Sequence, residues 1–197
     1  MADPSYIDAD GVLTDGEAWV GIAHASLSLP AATVTWTSTN DGQTGDFSQY
    51  MDLFIVGYAR SDRGSGSYDL IQIALNNDTT DANYAGNRFS ADGSSTGASV
   101  NANRGLMHVP SEASDDETFN AFTVDLSDIN SGKYKTTLTQ NACRHSDTPD
   151  AGIVEVWHKT WLSQAAITEI DLTVQYGTNF VAGCVFDLFG VLPRMVA

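Results

Sequence analysis

Strict alternation of apolar and polar residues is the feature that most constrains the fold of this chain. Within residues 167–176, every second residue from Ile170 to Tyr176 is apolar, and the residues between them are polar. A period of two is typical of a β-strand with one buried and one solvated face. The sequence therefore predicts antiparallel strands that cover a core with one side.

The same alternation recurs along the chain and gives about nine strand candidates. They are residues 32–38, 50–61, 68–76, 105–109, 121–126, 134–140, 152–161, 167–176 and 183–191. Gly, Asp, Asn and Ser are concentrated between them, as is usual for turns. Because no stretch repeats with the period of a long helix, we expect little helix and an all-β fold. The prediction is an antiparallel, two-sheet β-sandwich that is jelly-roll-like.

Composition agrees with this fold and narrows the range of partners. Asp outnumbers Glu by twenty to five, and Asp favours turns whereas Glu favours helices. The net charge is -16 because only nine of the 197 residues are Lys or Arg. Phosphate backbones and anionic membranes require clustered bases, so we expect neither a nucleic-acid partner nor a membrane partner.

The start of the chain differs from the rest. Residues 1–30 are predicted to form an acidic N-terminal arm, and residues 31–197 to form the β-sandwich domain. The first residues have no basic segment followed by an apolar one, so no signal peptide is expected. Residues 90–103 are interpreted as one long polar loop.

The segment from Asn76 to Asn83 is the best candidate for a cation site. Asn76, Asp78, Asp81 and Asn83 supply closely spaced oxygen atoms, which Ca²⁺ prefers. The spacing does not match an EF-hand loop. The alternative is an Asx-rich turn in which these side chains bond to their own backbone, and we favour that interpretation.

Aromatic residues provide a candidate for sugar binding. Trp36 and Tyr84 could stack on glycans, but aromatic residues are equally common in cores and subunit interfaces. We therefore name Trp36 and Tyr84 as glycan-binding candidates under an alternative function only.

Catalytic patterns are weak. Residues 93–97 have the letters of a nucleophile elbow, but the pattern requires a strand-to-helix turn and no helix is expected after it. Glu155 and Glu169 lie on strand candidates, where the solvated face of a sheet accounts for them. We expect no enzyme, no catalytic residue and no cofactor.

Several ordered segments resemble a β-sandwich module of tailed-bacteriophage virion proteins. The last of them, Asn179–Val191, is close to the module's usual ending, with Cys184 in place of Ser and Phe189 in place of Tyr. The other matching segments are 50–61, 76–84, 119–126, 133–136, Trp161 and 166–172, so the resemblance spans about residues 30 to 192.

This resemblance implies a virion structural protein without catalytic residues. The size of the chain favours a capsid decoration or cement protein that binds and stabilises the major capsid shell, assembled in the host cytoplasm and located in the virion. The partners would be other virion proteins, and the chain itself would form a homo-oligomer, with a trimer as the expected number. The alternatives are a tail-fibre or head-fibre component that binds host-surface glycans, and, less favoured, a hydrolase of host polysaccharide.

Overall fold

The computed structural model describes residues 19–39, 45–114, 117–144 and 152–192. Within these ranges it contains twelve strands. They are β1 (Trp19–Ser26), β2 (Thr33–Thr37), β3 (Asp52–Ala59), β4 (Tyr68–Leu75), β5 (Tyr84–Ala91), β6 (Thr96–Val100), β7 (Gly105–Pro110), β8 (Asn120–Ser127), β9 (Lys135–Arg144), β10 (Gly152–Trp161), β11 (Glu169–Val174) and β12 (Val185–Val191). The helical content of the same ranges is two single 3₁₀ turns, Phe47–Gln49 and Asp81–Asn83.

The strands form two antiparallel sheets. The large sheet has eight strands in the order β1-β12-β3-β8-β9-β10-β5-β6, and the small sheet has four in the order β2-β11-β4-β7. Every pairing within them is antiparallel. The all-β, two-sheet fold predicted from the alternation is thus confirmed.

Eight of the strands have the connectivity of a jelly roll. When β5, β6, β9 and β10 are set aside, the remaining strands in chain order pair as first-eighth-third-sixth and second-seventh-fourth-fifth. This is the interleaved order produced by two Greek keys. The four additional strands all extend the large sheet beyond β8, so one side of that sheet projects past the eight-stranded unit.

All nine strand candidates are strands in the structure, and three further strands were not predicted. The strand β6 lies inside the predicted polar loop, and each residue of this strand is exposed. The strand β5 turns Tyr84, Gly86, Arg88 and Ser90 inward, so its apolar and polar residues do not alternate. Pattern-based reasoning finds strands that bury an apolar face, and these two strands do not.

The predicted N-terminal arm, residues 1–30, contains one strand of the structure. β1, which falls inside the predicted arm, pairs with β12 at the edge of the large sheet. The rest of the predicted arm before Trp19 lies outside the described residues.

The core fills the space between the two sheets. It includes Ile55 of β3, Ile73 of β4, Leu172 of β11 and Phe186 of β12, all with no exposed surface. The chain packs closely at Gly190, where an added Cβ would lie 2.3 Å from the ring of Tyr50. The core-facing side of the large sheet is called the inner face below, and its opposite side the outer face.

Candidate functional site

The first calcium candidate, Asn76, joins the end of β4 to the segment before β11. Its φ of 54° lies in the left-handed region, which Asn tolerates in turns. Its Oδ1 accepts hydrogen bonds from the backbone N–H groups of Thr168 (2.7 Å) and Glu169 (3.1 Å). Its Nδ2 donates to the carbonyl of Ala166 at 2.8 Å. The side chain is therefore fully used in fixing the turn.

Asp78 holds the centre of the same turn. Its carboxylate accepts hydrogen bonds from Asn83 Nδ2 and from Trp161 Nε1, both at 2.8 Å. Burial alone would raise the pKa of Asp78, but these donors outweigh it and hold the pKa of this carboxyl below its usual range. The remaining candidate, Asp81, forms an ion pair with Arg104 at 3.2 Å.

Asn76, Asp78 and Asp81 thus direct side-chain oxygen atoms at N–H donors, and Asn83 supplies one of these donors. A cation would have to displace these hydrogen bonds, so the arrangement is that of an Asx-rich turn. Among the residues that the structure describes, no group of three or more His, Cys, Asp or Glu side chains is placed to hold a metal ion.

The two glycan candidates are core residues. Trp36 is 4% exposed and Tyr84 is 2% exposed. The hydroxyl of Tyr84 accepts a hydrogen bond from the backbone N–H of Leu75 (3.0 Å) and donates to the carbonyl of Asp78 (2.9 Å). Neither ring presents a face on which a sugar could stack.

The segment with nucleophile-elbow letters is the hairpin turn between β5 and β6. Asp92 accepts hydrogen bonds from the backbone N–H groups of Ser94 (3.0 Å) and Ser95 (2.7 Å). These bonds lower the pKa of Asp92 to about 2. Because the turn leads into a strand and not a helix, it lacks the geometry of an elbow.

A buried carboxylate lies where sequence reasoning expected an exposed one. Glu155 on β10 has no exposed surface and points inward. It accepts hydrogen bonds from His108 Nδ1 (2.8 Å), from the His108 backbone N–H (3.2 Å) and from Asn141 Nδ2 (3.1 Å). Arg88 approaches to 3.4 Å and forms an ion pair with it.

These contacts control the protonation of Glu155. Burial alone would raise the pKa of Glu155, but the hydrogen bonds and charge of His108 outweigh it and keep the pKa below the usual range. The cluster joins the edge of the small sheet at β7 to β9, β10 and β5. Glu155 is the common partner of these side chains, so the cluster joins the two sheets; the buried Asn141 Oδ1 has no hydrogen-bond partner among the described residues.

Two lysines are also buried on the inner face. Lys135 Nζ donates to the carbonyls of Ser131 and, at 2.7 Å, of Lys133. Lys159 Nζ donates to the carbonyl of Asn101 at 2.6 Å. Burial lowers the pKa of Lys159 to about 8. The inward turn of these bases removes two of the few positive charges from the surface.

The outer face of the large sheet carries the feature that most favours binding. Twelve neighbouring positions on its six strands from β3 to β6 are exposed or half-buried and carry no formal charge. We call them the uncharged patch: Val56, Tyr58, Phe89, Ala91, Thr96, Ala98, Ala121, Thr123, Gln140, Ala142, Val154 and Val156.

Register places the patch residues side by side in two rows. One row runs from Val56 through Thr123, Gln140, Val156 and Phe89 to Ala98, and the other from Tyr58 to Thr96. Its apolar members are well exposed, with Val154 at 60% and Phe89 at 55%. The side chains on a sheet face that is directed at water are normally polar.

The patch is indented by two adjoining shallow grooves. One, of about 430 Å³, runs across β3, β8, β9 and β10, and the other, of about 440 Å³, runs across β10, β5 and β6. Val156 borders both of them. Most side chains on the open side of both grooves are apolar, which is typical of a surface that contacts protein.

Comparison with known proteins adds no identification. The sequence matches no family profile, and a search of curated proteins gave no significant match. In the described part of the chain, no helix has the length and apolar character required to cross a membrane.

Sequence reasoning located neither the buried Glu155 cluster nor the uncharged patch. The strand candidates do not specify which strands pair or in which register. The patch can be recognised only when the six strands that form it are aligned side by side. The sequence of β10 contained one indication of both features: Val154 and Val156 share one face of the strand, and Glu155 and Lys159 share the other. In the structure these apolar residues are on the outer face and these charged residues are on the inner face. This is the reverse of the arrangement expected for a strand that covers a core.

Proposed function

We propose that this protein is a structural component of a tailed-bacteriophage virion that decorates the capsid, binding the major capsid shell and stabilising it. The observation that carries the proposal is the uncharged patch on a chain with a net charge of -16. Exposed apolar surface of this extent is typical of protein–protein contact. The resemblance of the sequence to phage virion modules supplies the biological setting.

The interior supports a structural role. Glu155, Asp78 and Asn76 are candidates for chemistry by residue type, yet their polar atoms bond to groups of the protein itself. The segments that carry the resemblance form β3, β8, β11 and β12 and the turn after β4. They contribute to the core and to strand pairing, which suits a structural protein that acts by presenting a binding surface.

The acidic remainder of the surface defines what the shell must offer. Nine Lys and Arg residues against twenty-five Asp and Glu residues give the protein a large excess of negative charge. A partner that approaches it must carry basic residues, because like charges opposed across an interface cost several kcal/mol. The proposal therefore requires a basic region on the outer surface of the shell.

Copy number in the virion tests the proposal. Purified virions are analysed by quantitative mass spectrometry against the major capsid protein as internal standard. Hundreds of copies per particle support decoration of the shell. Only a few copies, or none, would overturn it, and a few copies would place the protein at a tail or vertex and favour the fibre alternative.

Rebinding gives a second readout. Particles from phage that lack the gene are mixed with the purified protein at increasing NaCl, and occupancy and heat resistance are measured. We expect binding to weaken with salt, because the acidic surface and a basic shell attract each other electrostatically. Particles whose binding and heat resistance do not change on addition of the protein would contradict the role.

A further inference from the structure

β9 lies near the middle of the large sheet. Three strands, β10, β5 and β6, follow it in one direction, and four strands, β8, β3, β12 and β1, follow it in the other. A two-fold axis along β9 would therefore place β8 over β10, β3 over β5 and β12 over β6 of a second copy. Seven strands of each copy would then be covered.

Two of the residues that border the patch are complementary under the same rotation. Asp125 on β8 and His158 on β10 both lie directly beside Leu138 of β9. The axis would bring Asp125 of each copy opposite His158 of the other, with Leu138 opposite Leu138 between them. One acid and one base would thus meet twice across the interface.

Asp125 has no cationic partner within the described part of its own chain. Its carboxylate accepts a hydrogen bond from Ser127 Oγ at 3.2 Å. Burial, together with the repulsion of nearby Asp52, raises the pKa of Asp125. A hydrogen bond donated by the His158 ring of a second copy would offset both effects.

We propose that two copies of this chain pair face to face through the uncharged patch, about a two-fold axis along β9. Packed sheets stack about 10 Å apart with their strands within about 30° of each other. The patch is the region on which two chains of charge -16 can approach without opposing carboxylates. This pairing takes the place of the trimer expected above and rests on the proposed function: it assigns the uncharged patch to the second copy and leaves the acidic remainder of the surface to contact the shell.

The available area suits such a pair. Seven strands spaced by about 4.8 Å and about six residues of each strand cover roughly 29 Å by 20 Å, or about 600 Å² per copy. The total of about 1,200 Å² lies at the lower end of specific protein interfaces. We therefore expect a dimer that dissociates on dilution.

Sedimentation of the full chain over a range of concentrations tests the pairing. The mass should move from that of a 21.0 kDa monomer toward twice that value. Val156→Lys places a charge at the centre of the patch and should weaken the dimer at least about tenfold, the effect of about 1.4 kcal/mol. Val154→Lys repeats the test if the first variant folds poorly, as judged by circular dichroism.

Leu29→Lys is the matched control, since Leu29 is 74% exposed and lies away from the patch. It should leave the dimer unchanged. His158→Asp opposes two acids and should also dissociate the dimer, whereas the double variant Asp125→Lys with His158→Asp restores opposite charges and should restore pairing. Rescue by the charge swap is specific to the two-fold alignment.

The outcomes separate cleanly. A monomer at all concentrations, a trimer, a dimer unaffected by Val156→Lys, or a charge swap without rescue would each overturn the pairing. The copy number in the virion is independent of these measurements. Hundreds of copies of a monomer would leave the decoration proposal intact, and a dimer absent from the virion would leave the pairing intact.

Discussion

Glu155 is a carboxylate without exposed surface, and its surroundings replace the water it loses. His108, Asn141 and Arg88 surround it across three strands. Removing one partner of a buried ion pair leaves the others desolvated without compensation, at a cost of about 3–5 kcal/mol. We expect Glu155→Ala to lower the free energy of unfolding by that amount in urea denaturation.

Glu169→Ala is the control for this variant, because Glu169 is a half-buried carboxylate on β11. Its removal should cost less than about 0.5 kcal/mol, as is usual for surface positions. Equal losses for the two variants would show that the cluster does not join the sheets as inferred.

The stabilisation from Glu155 should depend on pH with a defined sign. The pKa of Glu155 is lowered in the folded state, so on acidification the unfolded chain takes up the proton first. The contribution is present above the ordinary glutamate pKa of about 4.3 and is lost as the pH falls through the folded value. The difference in unfolding free energy between wild type and Glu155→Gln should therefore shrink below about pH 4.3. A difference that stays constant from pH 7 into the acid range would contradict this linkage.

Asp78 allows the calcium hypothesis and the turn hypothesis to be distinguished. Asp78→Asn weakens the hydrogen bonds from Trp161 and Asn83, and we expect a loss of about 1–3 kcal/mol. Because the carboxylate serves the turn, the loss should be the same with millimolar CaCl₂ and with EDTA. A melting temperature of the wild type that rises with Ca²⁺, and does not rise in Asp78→Asn, would revive the cation site.

At the scale of elements, the fold was more predictable than the site. Alternation located the strands that bury apolar residues, such as β11 and β12. It could not locate β6, which is exposed on both faces, or assign the faces of β10, where Glu155 and Lys159 are buried while Val154 and Val156 face outward. Burial of a charge depends on partners from β5, β7 and β9, and a single strand's sequence does not contain them.

The packing of β12 against the chain before β3 gives a test of an element. An added Cβ at Gly190 would lie 2.3 Å from the ring of Tyr50, which is itself buried. We expect Gly190→Ala to destabilise the protein by about 1–3 kcal/mol through overpacking. Gly132→Ala is the control, because an added Cβ there has no heavy atom within 4 Å.

Shrinking the opposing side chain should relieve the Gly190→Ala effect. In the double variant with Tyr50→Leu, the total loss of unfolding free energy should be smaller than the sum of the two single losses. Additive losses would show that the ring is not what Gly190 accommodates.

At the scale of the whole molecule, the excess of acid should make stability depend on salt. At a net charge of -16, folding concentrates like charges, and ions screen that repulsion. Raising NaCl from about 10 mM to about 300 mM should raise the melting temperature, and each 1 kcal/mol of relief corresponds to about 2–4 °C for a chain of this size. Calorimetry in NaCl and in KCl should give the same rise, and a fall would show that ion pairs outweigh the repulsion.

The pairing of β1 with β12 also bears on when the protein becomes competent to assemble. Trp19 is the partner of Val191, so this contact can form only after β12 has left the ribosome. Pairings between residues so distant in sequence are slow steps of folding. β12 also lies beside β3 and completes the surface proposed to receive a second copy. A chain in which β12 has not yet paired with β3 would lack one strand of that proposed surface, so the pairing of β12 must come before the proposed association.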